Sequence, residues 1–152
     1  MSEYRIEKIR RGVTLRLAGG ATLAGDVFVQ PTARFRAGPQ DPAELFNEPE
    51  PFIPIATVED ELILVAKDQV AHVQFPGDSA DTAIEGIADA AVDVWLADGT
   101  SLSGVLRLET RADRSRVLDF LNDEHQRFLA LQTPFGICLV NRRHITQVRH
   151  RR

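Results

Sequence analysis

The chain is poor in the residues that build disulfides, metal centres and membrane anchors. Its 152 residues include one cysteine and four histidines, so an internal disulfide and a multi-cysteine metal site are excluded. No run approaches the roughly 18 apolar residues of a membrane-spanning helix, and the first five residues are not followed by the apolar stretch of a signal peptide. We therefore expect a globular cytoplasmic protein, without contact to a membrane.

Residues that could form a catalytic site are also scarce. The histidines at 72, 125, 144 and 150 are scattered along the chain, and Cys138 lies in an apolar stretch that favours a buried thiol over a nucleophile. No glycine-rich loop of the phosphate-binding kind follows a predicted strand. Because no segment combines a nucleophile, a base and an orienting group, we predict no enzymatic activity, no cofactor and no metal ion.

Charge is divided into three blocks along the chain. Residues 1–37 carry 7 Lys/Arg against 3 Asp/Glu, residues 38–103 carry 1 against 14, and residues 104–152 carry 10 against 5. This asymmetry indicates either a basic and an acidic face or opposite faces that pair on assembly. Ordinary solvated surface charge is the alternative interpretation.

Two segments of the chain share one pattern. Val13–Gly25 and Val92–Gly104, at an offset of 79, both read apolar-x-apolar-x-Leu-Ala-x-Gly-x-hydroxyl-Leu-x-Gly. Further along, Leu64–Val73 matches Leu139–Val148 at an offset of 75. Between these matches, Leu45-Phe46-Asn47 corresponds to Phe120-Leu121-Asn122, and Phe52-x-x-Ile55 corresponds to Phe128-x-x-Leu131 after a gap of about one residue. The matches keep their order along the chain, which predicts a tandem duplication of roughly 70 residues; chance similarity between two β-hairpins is the alternative.

The boundary between the two copies is predicted at the Pro-Gly-containing segment Phe75–Ala80. We refer to residues 1–75 as unit 1 and to residues 81–152 as unit 2. Each unit is near the lower size limit for an independent core, so neither is expected to be stable alone.

The repeated segment has the pattern of a β-hairpin. If Ala97–Gly99 is a three-residue loop with its glycine in the left-handed conformation, Val94 pairs with Leu102 and the two apolar rows meet on one face. The corresponding loop of unit 1 gives the same register. Gly25 and Gly104 then fall on the buried face, where a strand glycine indicates a sharp bend or a close backbone approach.

The rest of each unit predicts a short helix followed by three short strands. The helix of unit 1 begins at Asp41-Pro42, a typical capped start, and that of unit 2 covers Arg114 to Asn122. The predicted strands that follow are 52–58, 61–66 and 69–74 in unit 1, and 128–132, 137–140 and 144–148 in unit 2. Five strands with one bent hairpin predict a small, bent antiparallel sheet or barrel in each unit.

The sequence resembles the Sm-like protein family. Val92–Leu106 looks like the first Sm-like motif and Leu139–Ile145 like the second, with weaker versions at Val13–Val27 and Leu64–Val70. The resemblance implies a mainly β protein with short helices, built from two tandem bent barrels of the Sm-like or SH3-like type. It also implies ring assembly through edge strands and binding of single-stranded RNA. The chain departs from the family in its helix between strands 2 and 3, in lacking a glycine after the arginine of the second motif, and in carrying two units.

Two functions follow as hypotheses. The first is a non-enzymatic assembly or binding module that forms a homo-oligomer through strand edges. The alternative is a single-stranded RNA-binding protein, in which an aromatic ring among guanidinium groups could stack bases and neutralise phosphates. An acidic protein partner would suit the same basic residues, and a small molecule between the units is a third possibility. The candidate nucleic-acid or anion contacts are Arg34, Phe35, Arg36, Arg142 and Arg143.

Overall fold

The structure is a computed structural model that describes residues 8–33, 38–77, 87–109, 117–122 and 126–151. Unit 1 contains β1 (Ile9–Leu17), β2 (Thr22–Val29), α1 (Pro42–Phe46), β3 (Phe52–Thr57), β4 (Leu62–Ala66) and β5 (Val70–Phe75). Unit 2 contains β6 (Ile87–Leu96), β7 (Ser101–Glu109), α2 (Val117–Asn122), β8 (Phe128–Thr133), β9 (Gly136–Asn141) and β10 (Ile145–His150).

All ten strands belong to one antiparallel sheet with the order β10-β6-β7-β8-β9-β5-β1-β2-β3-β4. Within each unit the fifth strand pairs with the first, and the first four pair in succession. The units meet where β5 pairs with β9, which leaves β4 and β10 at the two ends of the sheet. The predicted mainly β class with short helices is confirmed, but the strands form one open sheet and not closed barrels.

The hairpin register predicted from sequence is confirmed in both units. Val94 lies opposite Leu102, and Leu15 lies opposite Leu23. In the second hairpin the Leu96 N–H donates to the carbonyl of Thr100 at 2.9 Å, and the loop ends on Gly99 with a φ of 89°. A left-handed residue at this position is what the three-residue loop requires, and glycine adopts it without steric cost.

The two strand glycines of the repeat lie where their strands pass close to the next strand of the sheet. A Cβ atom at Gly25 would lie 2.5 Å from the carbonyl oxygen of Ala56, and one at Gly104 would lie 2.8 Å from that of Gln132. These distances are too short for any side chain. The predicted close backbone approach is therefore confirmed, and it lets β2 and β7 pair with β3 and β8 on one side while they stay paired with β1 and β6 on the other.

The helix of unit 1 begins as the sequence predicts. The Asp41 carboxylate accepts a hydrogen bond from the Glu44 N–H at 2.9 Å, the Glu44 side chain returns to the Asp41 N–H, and Pro42 occupies the first turn. The described part of the second helix is Val117–Asn122. The beginning of the predicted helix, Arg114 to Arg116, lies outside the described residues.

The last strand of each unit begins later than predicted. Lys67–Gln69 and Arg142–His144 form single 3₁₀ turns. The N–H of Val70 closes the first turn on the carbonyl of Lys67, and the Ile145 N–H closes the second on Arg142. Each turn re-aims the chain from the fourth strand to the fifth, which is why the two strands do not pair with each other.

Candidate functional site

The units are joined by a sheet junction between β5 and β9. Four residue pairs lie opposite one another along it, from His72 with Val140 to Phe75 with Ile137. Each strand is the edge of its own unit, so the junction is an edge-to-edge pairing of two similar folds. Backbone hydrogen bonds of this kind specify a register and leave side chains to determine affinity.

Side chains cross the junction in both directions. Phe128 and Leu139 of unit 2 pack in the core of unit 1 and are 1% and 0% exposed. Ala71 of unit 1 packs in the core of unit 2. The ring of Phe128 meets that of Phe46 edge-on at 5.4 Å between centroids, a favourable aromatic geometry. The cores of the two units are therefore interdependent.

Two asparagines add hydrogen bonds across the junction. Asn47, at the end of α1, accepts the Phe128 N–H at 2.8 Å and donates to the Phe128 carbonyl at 3.2 Å. Asn141, fully buried at the end of β9, donates to the carbonyls of Lys67 at 3.3 Å and Val70 at 2.9 Å. An amide side chain can satisfy a donor and an acceptor at once, so each asparagine fixes the backbone of one unit against the other.

A buried cation supports the unit 1 side of the junction. Lys67 is 2% exposed, and its Nζ donates to the carbonyls of Leu45 at 3.2 Å and Glu48 at 3.0 Å. Burial, together with the nearby Arg127 of unit 2, lowers the pKa of Lys67. The corresponding residue of unit 2 is Arg142, whose guanidinium donates to the Leu121 carbonyl at 2.6 Å. Both cations therefore anchor the helix of their unit beside its last strand.

His72 lies at the junction between charges from both units. Its Nδ1 atom is buried and has no hydrogen-bond partner in the described part of the chain. Burial lowers the pKa of His72, an effect that Asp98 of unit 2 opposes and Arg16 of unit 1 reinforces. Asp98 and Arg16 approach to 4.0 Å. The Thr100 N–H donates to the Asp98 carboxylate at 2.8 Å and lowers the pKa of Asp98.

The β4 end of the sheet exposes apolar side chains. Leu62, Ile63 and Leu64 are 62%, 36% and 65% exposed, and the turn before them holds three acidic residues, Glu59–Glu61. The turn falls between the predicted strands 52–58 and 61–66, with Asp60 at a φ of 61°. An apolar edge strand without lysine or proline is a site of strand pairing.

The β10 end is basic and is held firmly to its neighbour. The Asp93 carboxylate of β6 accepts from the Ser103 hydroxyl at 2.6 Å and from the Arg149 guanidinium at 2.6 and 3.1 Å. These bonds lower the pKa of Asp93. Arg151 reaches the same carboxylate at 3.4 Å. The outer edge of β10 is therefore a defined strand whose far end carries positive charge.

The five residues predicted to contact nucleic acid do not form a described cluster. Arg34, Phe35 and Arg36 lie outside the described residues. The Arg142 guanidinium donates to Leu121 as above, and the Arg143 guanidinium is exposed and lies 3.8 Å from the Asp68 carboxylate. The RNA hypothesis therefore stays a prediction, which a titration with single-stranded RNA at low salt would test, since phosphate contacts are strongest there.

The described residues include few side chains that could act in catalysis. They include no group of three or more His, Cys, Asp or Glu side chains that could hold a metal ion. Cys138 is buried as predicted, and burial raises the pKa of its thiol to about 12. A surface depression of about 570 Å³ is lined by residues of unit 1 alone, Arg11, Asp26 and Gln74 among them, and so does not lie between the units.

Sequence reasoning missed the residues that hold the junction. Asn47 was aligned with Asn122 in the repeat, which was the available signal that this position has a role in both units. Lys67 was likewise aligned with a second cation, Arg142, but its burial against helix α1 was not predicted. Asn141 gave no such signal, because the corresponding position holds Ala66.

Comparisons of the chain with protein-family models, with curated proteins and with solved structures find no match. Within the described residues, no helix is long and apolar enough to span a membrane.

Proposed function

We propose that this protein is a non-enzymatic assembly module of the Sm-like type, which self-associates by pairing β4 of one copy with β10 of another. The observation that carries the proposal is the β5–β9 junction within the chain. It joins the fifth strand of one unit to the fourth strand of the other, and the sheet ends in a free fourth strand and a free fifth strand. The division into two Sm-like units, 1–75 and 81–152, and the cytoplasmic location belong to this proposal.

The internal repeat supplies the register of the proposed contact. Val73 lies opposite Leu139 in the junction, and the offset of 75 converts this pair into Val148 opposite Leu64. The same step places His150 opposite Leu62. The two strands then run antiparallel over the length of β4.

The hydrogen-bonding direction of β4 is compatible with this register. The Thr57 N–H donates to the carbonyl of Glu61 at 2.9 Å, and partners alternate along an antiparallel ladder. Every second residue of β4, counted from Glu61, therefore bonds to β3 through its backbone. The N–H and C=O groups of Leu62 and Leu64 point away from the sheet, toward the proposed partner.

The hydrogen-bonding direction of β10 matches it. The Arg151 N–H donates to the Ala91 carbonyl at 2.8 Å. Every second residue of β10, counted back from Arg151, therefore bonds to β6 through its backbone. Val148 and His150 are the alternate residues that do not bond to β6, so their backbone N–H and C=O groups face outward. The transferred register puts these two residues directly opposite the two outward-facing residues of β4, which allows two complete hydrogen-bonded pairs.

Exposure at the free edge supports a second copy as the occupant. Leu64 is 65% exposed whereas its repeat partner Leu139 is 0% exposed, and Ile63 is 36% exposed whereas Cys138 is 1% exposed. Side chains that the junction buries in unit 2 are thus left in solvent in unit 1. Burial of apolar surface contributes about 25 cal/mol per Å², so covering this edge favours association.

Charge favours the same orientation. Antiparallel pairing brings the basic end of β10 beside the acidic turn that precedes β4, with Arg151 opposite Glu61. Exposed ion pairs contribute at most about 1 kcal/mol each. Their main effect is therefore to select this pairing over others and to speed encounter.

The experiment uses two variants that each block one edge. Leu64→Pro removes an outward N–H of β4, and Val148→Pro removes an outward N–H of β10; neither removes a hydrogen bond of the existing sheet. We expect the unsubstituted protein to form concentration-dependent oligomers in sedimentation velocity and each variant to be monomeric. An equimolar mixture should form a heterodimer, because one intact edge of each kind remains.

The mixture also controls for folding, since a misfolded variant cannot restore binding. Leu64→Ala, which keeps the N–H, should retain association. A monomeric unsubstituted protein at high concentration would overturn the proposal. So would a mixture that stays monomeric, or Val148→Pro alone forming dimers, which would indicate pairing of β4 with itself.

A further inference from the structure

The intrachain junction has a second contact beside the paired strands. Phe128 begins β8, its backbone is held by both amide atoms of Asn47, and its ring packs on Phe46. Helix α1 therefore receives the first residue of the third strand of unit 2. This contact lies outside the β5–β9 ladder and fixes the helix of one unit against a strand of the other.

Among the described residues, the repeat partners of these groups make no such contact at the free ends of the sheet. Phe52, the repeat partner of Phe128, begins β3 and is 57% exposed, whereas Phe128 is 1% exposed. Asn122, the repeat partner of Asn47, ends α2 and is exposed, and Leu121 beside it is half-buried. The second helix thus presents an amide and an apolar side chain in the places of Asn47 and Phe46.

The second helix is also held in the corresponding position. Arg142 donates to the Leu121 carbonyl at 2.6 Å, one residue further along the helix than the counterpart of Leu45, whose carbonyl accepts from Lys67 at 3.2 Å. Each cation lies in the 3₁₀ turn that leads into the last strand of its unit. The position of α2 relative to β10 is therefore comparable to that of α1 relative to β5.

We infer that α2 is a docking site for Phe52 of a second copy of this chain. Asn122 binds the backbone N–H and C=O of that Phe52, and the phenyl ring covers Leu121. The inference rests on the proposed pairing of β4 with β10, which would bring Phe52 to α2 because Phe52 lies opposite Ala66 at the end of β4.

One difference between the two junctions increases the importance of this contact. Asn141 donates to two carbonyls of unit 1 across the intrachain junction, but the corresponding residue at the free edge is Ala66. The contact between copies lacks those two hydrogen bonds. Asn122 therefore supplies a larger share of its side-chain hydrogen bonding, and specificity for the Phe52 position depends on it.

The heterodimer of Leu64→Pro and Val148→Pro, the two variants that each block one edge, tests the inference because it contains only one contact between copies. In that dimer the Leu64→Pro copy supplies α2 and β10, and the Val148→Pro copy supplies Phe52 and β4. Asn122→Ala should raise the dissociation constant about thirtyfold when placed in the Leu64→Pro copy, since it removes two hydrogen bonds that together contribute about 2 kcal/mol. Placed in the other copy, it should leave the constant unchanged.

Phe52→Ala should show the opposite dependence, weakening binding at least tenfold only in the Val148→Pro copy. This placement control separates a contact from a general loss of stability. A heterodimer that is insensitive to both substitutions, or equally sensitive in either copy, would overturn the docking site while leaving the strand pairing intact. Absence of any heterodimer before these substitutions are made would overturn both.

Discussion

Replacing Asn47 with alanine should destabilise the chain far more than the same change at Asn122. In the first case the N–H and C=O of Phe128 lose their partners at a residue that is 1% exposed, where water cannot readily replace them. Each buried polar group left without a partner costs about 1–3 kcal/mol. With two such groups, we expect Asn47→Ala to lower the free energy of unfolding by about 2–6 kcal/mol, a large share of the roughly 5–15 kcal/mol typical of a domain.

The assay is urea unfolding followed by circular dichroism, with both substitutions made in the Leu64→Pro background so that self-association does not add stability. With a slope of about 2 kcal/mol per molar urea, the midpoint for Asn47→Ala should fall by about 1–3 M. Asn122 is exposed, so Asn122→Ala should stay within about 0.5 kcal/mol. Equal losses for the two variants, or a loss below 0.5 kcal/mol at Asn47, would refute the account of the junction.

Two further predictions concern pH and backbone packing. Burial lowers the pKa of His72 below 6.5, so the unfolded chain binds the proton more tightly, and this residue's contribution to stability is complete above pH 6.5 and is lost as the pH falls toward the folded-state pKa. Urea midpoints measured between pH 7.5 and 5.5 should fall, and the fall should be smaller in His72→Gln; an identical fall in both would contradict the assignment. Gly25→Ala should cost more than about 2 kcal/mol, because its Cβ would lie 2.5 Å from a backbone carbonyl. The matched change Gly12→Ala, whose Cβ meets its nearest atom at 3.7 Å, should be close to neutral, and a similar cost at both glycines would rule out the steric explanation.

Local features of the fold were predictable because they depend on short-range constraints. The parity of apolar residues around Ala97–Gly99 allows one hairpin register that buries both rows, and the structure has it. The cap at Asp41 likewise needs only neighbours three residues away. The late start of the last strands, after 3₁₀ turns such as Lys67–Gln69, was missed, because Lys67 is held there by carbonyls about 20 residues distant in sequence.

The junction between the units could not be predicted from the sequence, for a different reason. Strand pairing between units depends on which edges remain free after each unit folds, and apolar alternation does not distinguish an edge from an interior strand. Leu64 and Leu139 occupy the same place in the repeat, yet one is exposed and the other buried. Only the position of their strands in the whole sheet explains the difference.

The arrangement of the free edges limits what an assembly can look like. A chain that offers one fourth strand and one fifth strand makes a head-to-tail contact, and such contacts either close into a ring or continue as a filament. Half of the unit-to-unit contacts in that assembly lie within chains, where Asn141 adds two hydrogen bonds and the partner is always present. The other half lie between chains, where Ala66 replaces that asparagine. The contacts between copies are therefore expected to be the weaker ones, so dilution should dissociate the assembly into intact two-unit chains and not into separate units.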